Sequence, residues 1–149
     1  PWFIVDTTPA EARLIRTARE VNDGKPHWVL EKVKVAIADE LSHNPDKRMQ
    51  DITVACLGLV FKPDIDDLRE SPAVELTQMI ADLGCRVIAV EPNINTLPPR
   101  LDEGNVSLGT LEEALTAADV TCLLVKHSEF KNNVEKIKSM TSLIDVIGL

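Results

Sequence analysis

From Ile52 onward, apolar runs of strand length alternate with stretches whose apolar residues recur at helical spacing. The runs are 52–60 (ITVACLGLV), 87–90, 120–125 (VTCLLV) and 143–146, with a shorter candidate at 106–108. A nearly unbroken apolar run fits a strand buried on both faces, as in a parallel sheet, better than one wetted on one side. Between the runs, Ser71-Pro72 opens a helix to about Leu83, with Gly84 as its stop. Thr110-Leu111-Glu112-Glu113 is a capping box opening a helix to Ala118. Residues 128–140 read as a weaker, polar helix, and 93–105, which contain Pro98-Pro99, as a loop. Strands alternating with helices predict a parallel sheet of right-handed βαβ units.

Residues 1–50 follow another pattern. Thr8 is predicted as an N-cap, with Pro9 as first helical residue and Glu11 as capping-box partner. Ala12, Ile15, Ala18 and Arg19 continue at roughly helical spacing, and Asn22-Asp23-Gly24 ends that helix. A second helix is predicted over 26–41, with Val29, Val33, Ile37 and Leu41 on one stripe. The polar, Pro45-containing segment 42–50 reads as a linker. The expected fold class is therefore α/β: a Rossmann-like, doubly wound parallel sheet over 51–149, preceded by two helices in 1–50.

Composition narrows the function classes. The formal net charge is −8 over 149 residues, which argues against broad binding to nucleic acid or an anionic membrane. A small anionic ligand needs only a few placed cations and stays open. Cys56, Cys85 and Cys122 are widely spaced, with no CxxC and no Cys/His cluster. That pattern argues against a metal site or disulfide framework and points to a reducing, cytoplasmic setting. The amino terminus PWFIVDTTPAEAR lacks a basic n-region and an initiator Met, which reads as the interior of a longer chain rather than a secretion signal.

Open α/β sheets bind ligands beyond the carboxyl ends of their strands. After the first strand the chain reads GLVFKPDIDDLRESP, residues 58–72. A dinucleotide fold requires GxGxxG here so that a pyrophosphate can approach the backbone. Only Gly58 is present, followed by bulky Leu59, Val60 and Phe61, so no NAD is expected at this turn. Lys62, Arg69 and the helix start at Ser71 form a cationic loop instead. Two readings stand: these groups hold a diphosphate with Phe61 stacked on a base, or they pair on the surface with Asp64, Asp66, Asp67 and Glu70.

GLVFKPDIDDLRESP closely resembles the GLxFKxxxDDxRxSP signature of the carboxy-terminal domain in the UDP-glucose/GDP-mannose dehydrogenase family. PWFIV, AREVNDGKPHWV (18–29), VIAVEPNI (87–94) and ADVTCLLVKHSEFK (118–131) are similar to further family segments. PWFIV, LRESP and VEPNI together look most like the branch acting on UDP-N-acetylmannosamine for surface polysaccharide synthesis, with a related dehydrogenase acting on another UDP-sugar as the alternative. The resemblance implies an NAD-dependent oxidation of the sugar C6 alcohol to a carboxylate, through a Cys nucleophile. NAD would belong to another domain of the full-length enzyme. The nucleophile would lie upstream of Pro1, so this chain alone is expected to be inactive.

Carried over residue by residue, Phe61 and Lys62 match positions placed against the nucleotide, and Arg69 matches the motif arginine for phosphate or domain closure. Asp66 and Asp67 match the acidic pair, with loop bracing as the alternative to lining the pocket. Glu91 and His127 are pocket candidates, with a loop role and a surface position respectively as alternatives. Residues 1–50 correspond to the end of the catalytic loop and helices of the central dimerisation region, and 51–149 to the UDP-sugar-binding domain. Expected partners are a UDP-sugar, the amino-terminal half of the enzyme and a second copy. The carboxy-terminal DVIGL departs from the family pattern by lacking a basic residue. A structural or dimerising module is the competing reading, and an independent regulatory nucleotide-binding domain a third, against which the PWFIV segment argues.

Overall fold

The computed structural model describes residues 2–102 and 104–148. Three helices come first: α1 (Trp2–Thr7), α2 (Arg13–Asp23) and α3 (Lys25–His43). The sheet region then runs β1 (Thr53–Leu57), α4 (Pro72–Ala81), β2 (Arg86–Val90), α5 (Pro99–Asp102), β3 (Val106–Leu108), α6 (Leu111–Ala117), β4 (Val120–Leu123), α7 (Ser128–Asn132), α8 (Val134–Lys138) and β5 (Leu143–Asp145). All four strand pairings are parallel, in the order β3-β2-β1-β4-β5. The order reverses at β1, which lies between β2 and β4.

Strand periodicity divides the core into two faces. On one, Val54 and Cys56 of β1, Val87 of β2 and Val120 and Cys122 of β4 pack against α3 and α4. On the other, Ala55, Leu57 and Leu123 pack against Leu111 and Ala114 of α6, Phe130 of α7 and Ile137 of α8. The β4–β5 connection runs over the second face, so it leaves the first face of that half uncovered. Helix α3 fills that place. Its predicted stripe is Val29, Val33 and Ile37, all buried, with Leu41 at its edge, and it packs on α4, β4 and β5.

Two start signals of the same form end differently. At Thr110 the capping box forms: its hydroxyl accepts from the Glu113 amide, and Glu113 accepts from the Thr110 amide. At Thr8 it does not. The Thr8 hydroxyl and amide both bond back to the Ile4 carbonyl and close α1, and α2 starts only at Arg13, with Ala12 as an N-cap lacking a side-chain bond. Three leading helices therefore replace the expected two. The predicted 128–140 helix also divides, at Asn133. Pro99 starts a single helical turn within the expected 93–105 loop.

The segment after α3 is tied down despite its polarity. Lys47 Nζ lies 2.6 Å from both Glu40 Oε1 and Asp119 Oδ1, while Asp119 Oδ2 accepts from the Thr53 amide. Exposed large apolar residues concentrate before residue 36: Trp2, Phe3, Ile4, Leu14, Val21, Trp28 and Val35. Among the described residues no helix is long and apolar enough to cross a membrane.

Because α3 covers the sheet, Ile37→Ala is expected to cost about 2–5 kcal/mol. The urea midpoint of the whole domain would fall in one transition. A midpoint matching the parent would show that α3 lies outside the cooperative unit.

Candidate functional site

At the carboxyl end of β1 the chain turns sharply at Gly58. Its φ of +95° and the approach of β4 both demand glycine: a Cβ here would sit 2.5 Å from Val125 Cβ. Leu59 and Val60 then dive into the interior, and both are buried. The chain emerges as a loop that the Phe61 amide closes on the Asp67 carbonyl at 2.9 Å. Asp64, midway around it, has φ +60°, and Glu70 at its exit has φ +52°. Ser71 then caps α4: its hydroxyl accepts from the Ala73 amide and donates to the Leu59 carbonyl at 2.6 Å. Start and end of the connection are thereby joined.

This loop forms one wall of a groove of about 780 Å³. The opposite wall comes from α2 and the start of α3, through Arg19, Asn22, Asp23 and Pro26, and Arg100 of α5 closes one side. Phe61, Asp67 and Arg69 line the groove. Phe61 is half exposed, with its ring available to a planar partner. Arg69 donates through Nε and Nη2 to the two oxygens of Asp67, at 2.9 and 2.8 Å. The Asp67 carboxyl is lowered to about 2, by the Arg69 side chain first and the Arg69 amide second. Arg19 pairs with Asp23 at 2.9 Å. Arg100 has no ion-pair partner among the described residues. Three arginines thus face the four carboxylates Asp23, Asp67, Glu70 and Glu75.

The other expected residues lie elsewhere. Lys62 Nζ sits 5.6 Å from the Phe61 ring centroid, outside the groove. Asp66 is exposed and also outside it. Glu91 and His127 are buried, at 4% and 0% exposure, so His127 is not a surface residue. The loop that covers them causes this. Glu91 Oε2 accepts from the Leu59 amide at 2.8 Å, the Val60 amide at 3.2 Å and His127 Nε2 at 3.0 Å. Its Oε1 accepts from the amide and side chain of Asn93. His127 Nδ1 accepts from the Asp64 amide at 3.0 Å, and the Asp64 carboxylate takes the amide and hydroxyl of Ser128.

This arrangement has a consequence for cofactors. The two amides after Gly58 stand where a dinucleotide phosphate would be cradled, and an internal carboxylate already occupies them. All three cysteines are buried; burial, then the nearby Cys56, pushes the Cys85 thiol up to about 11. The Cys122 thiol is raised well above its ordinary value by its hydrogen bond with Cys56 and by burial. Arg19 and Arg100 are the groove cations that sequence reasoning missed. Arg19 belonged to a helical stripe, and no local signal marked Arg100.

Burial pushes the Glu91 carboxyl up, but the bonds from His127 and the Leu59 and Asn93 amides outweigh it and hold it below its ordinary value. A carboxyl lowered on folding adds stability above its unfolded pKa, which is lost as pH falls through the folded one. Stability should therefore decline below about pH 4.5. Glu91→Gln should cost about 1–3 kcal/mol at pH 7 and flatten that decline, leaving the share due to Asp51, Asp64, Asp67 and Glu113, which are also lowered. Chemical denaturation from pH 7 to 3 reads both effects, and parallel curves for parent and variant would refute the assignment.

Known proteins share this architecture. Residues 55–147 match the UDP-glucose/GDP-mannose dehydrogenase family, UDP binding domain. A UDP-N-acetyl-D-mannosamine dehydrogenase of Salmonella typhi is 58% identical over 88% of this chain, which spans only 31% of that relative. An NDP-N-acetyl-D-galactosaminuronic acid dehydrogenase of Ralstonia nicotianae is 46% identical over the whole chain, which spans 33% of it. The solved UDP-N-acetyl-mannosamine dehydrogenase Cap5O from S. aureus superposes with a TM-score of 0.72 at 28% identity, covering 99% of this chain and 32% of that one. The family match runs from within β1 through β5 and takes in the whole groove-forming loop, so this chain belongs to the UDP-glucose/GDP-mannose dehydrogenase family.

Proposed function

We propose that this chain is the nucleotide-sugar-binding part of an NAD-dependent dehydrogenase that oxidises UDP-N-acetylmannosamine to UDP-N-acetylmannosaminuronate. The observation that carries the reading is the groove beyond β1, at the point where strand order reverses, with Phe61 and Arg69 on its loop wall. Similarity to relatives named for UDP-N-acetyl-D-mannosamine supports the choice of sugar. Phe61 stacks on the uracil. Arg69 exchanges Asp67 for a phosphate oxygen, and Arg100 and Arg19 supply charge from the facing side. Lys62, beside Phe61, turns its side chain toward the phosphates, and Asp66 orders the loop.

The redox chemistry comes from elsewhere in the enzyme. The buried thiols supply no nucleophile, and the amides taken by Glu91 leave no cradle for NAD. The exposed apolar residues of α1–α3 pack against the remaining domains or a second copy, within a cytoplasmic enzyme.

One observation favours a second reading, a folding module of little intrinsic affinity. Arg69 is spent on Asp67, and carboxylates outnumber arginines in the groove. Calorimetric titration of this chain with UDP at low salt separates the two. Binding is expected to be saturable and weakened about tenfold or more by Arg69→Ala and by Arg100→Ala, as for a charge-assisted hydrogen bond of about 1.5–3 kcal/mol. A folded chain that takes up no UDP would favour the module.

A further inference from the structure

Glu91 and His127 sit at the ends of β2 and just past β4, the two strands flanking β1. From these sides they grip opposite parts of the loop that follows β1. Glu91 takes the amides at its entrance, and His127 takes the amide at its apex, Asp64. Neither side chain lines the groove. Buried polar groups of this kind are retained when their partners need a defined geometry.

The donors assign the ring's protonation pattern. A backbone N–H can only donate, so the Asp64 amide makes His127 Nδ1 an acceptor. The proton then resides on Nε2, which donates to Glu91. Glu91 thereby fixes the tautomer, and the tautomer fixes the apex. Asp64 returns the tie through its carboxylate, which accepts from the amide and hydroxyl of Ser128, the residue next to His127. Phe61 and Asp67 bracket the closed loop whose midpoint is Asp64, and Asp67 holds Arg69. Pinning Asp64 to the sheet therefore sets where Phe61 and Arg69 stand along the groove.

We infer that His127 is a positioning residue for the nucleotide site: its Nδ1 holds the apex of the β1–α4 loop in the ligand-ready conformation, with Glu91 setting the tautomer. The inference rests on the nucleotide-binding reading given above. Without the tie, the apex samples other conformations, and affinity falls by the fraction of chains that hold the competent one.

Two substitutions separate positioning from packing. His127→Asn keeps an acceptor near the Nδ1 position and loses the donor to Glu91. His127→Gln keeps a donor near Nε2 and loses the acceptor for Asp64. Amide hydrogen exchange over 59–67, UDP affinity and the urea midpoint are measured for both. Both variants are expected to lose stability. Only His127→Gln should speed exchange at the loop apex and weaken UDP about tenfold, with His127→Asn staying within about threefold of the parent. Affinity that tracks the loss of stability equally in both variants, or loop exchange unchanged in His127→Gln, overturns the inference. A parent chain that binds no UDP defeats the nucleotide reading and any ligand role for His127; the exchange measurement then still decides whether its Nδ1 holds the loop.

Discussion

Glu91 is buried at the end of β2 with five hydrogen-bond donors converging on its two oxygens: the amides of Leu59, Val60 and Asn93, the Asn93 side chain and His127 Nε2. A buried carboxylate is costly unless its oxygens are fully engaged. Here the donors come from three places, the β1–α4 loop, the segment after β2 and the residue before α7. Satisfying one charge brings these segments together at the switch point of the sheet. The interior path of Leu59 and Val60, the burial of His127 and the outward presentation of Phe61 all follow from that constraint.

The same constraint explains how a doubly wound fold changes its ligand. In a dinucleotide fold, glycines let a phosphate approach the amides after β1. In this chain Gly58 keeps the turn, because φ and the contact with Val125 require it. The following amides are neutralised from within, and bulky residues fill the space that further glycines would leave. The ligand groove is displaced outward, to a surface shared by the loop, α2, α3 and α5. Helix α3 thus has two tasks, covering the β4–β5 half of the sheet through Val29, Val33 and Ile37 and bringing Pro26 to the groove wall.

Electrostatics in the groove is local rather than global. A chain of formal charge −8 keeps two of the three groove arginines in pairs, Arg19 with Asp23 and Arg69 with Asp67. An arriving phosphate competes with those carboxylates for the guanidinium groups. Exposed pairs of this type are worth little, so the exchange carries a small cost, and the Asp67 pairing keeps Arg69 oriented meanwhile.

The strands, the stripe of α3 and the cap at Thr110 were legible in the sequence. Burial on both faces writes itself as unbroken apolar runs, burial on one helical face as a period of about 3.6 residues. Thr8-Pro9-Ala10-Glu11 carries the same local signal as Thr110-Leu111-Glu112-Glu113 and failed. Leu111 and Ala114 have a sheet to pack on, while no residue of α2 is buried and only its N-cap Ala12 is, so the signal at Thr8 has no sheet behind it. The cationic loop was visible in 58–72, but Arg19, Arg100 and the burial of His127 were not. Asp64 and His127 are 63 residues apart, and His127 and Glu91 are 36 apart. Their meeting depends on β2 and β4 flanking β1, an order that period and propensity do not encode. The sequence by itself determined the layers, the glycine turn and the family motif, since each is a local or periodic property. Only the tertiary structure decided which charges are buried and which amides are taken, because those depend on strand order and on the donors that burial brings within hydrogen-bonding reach.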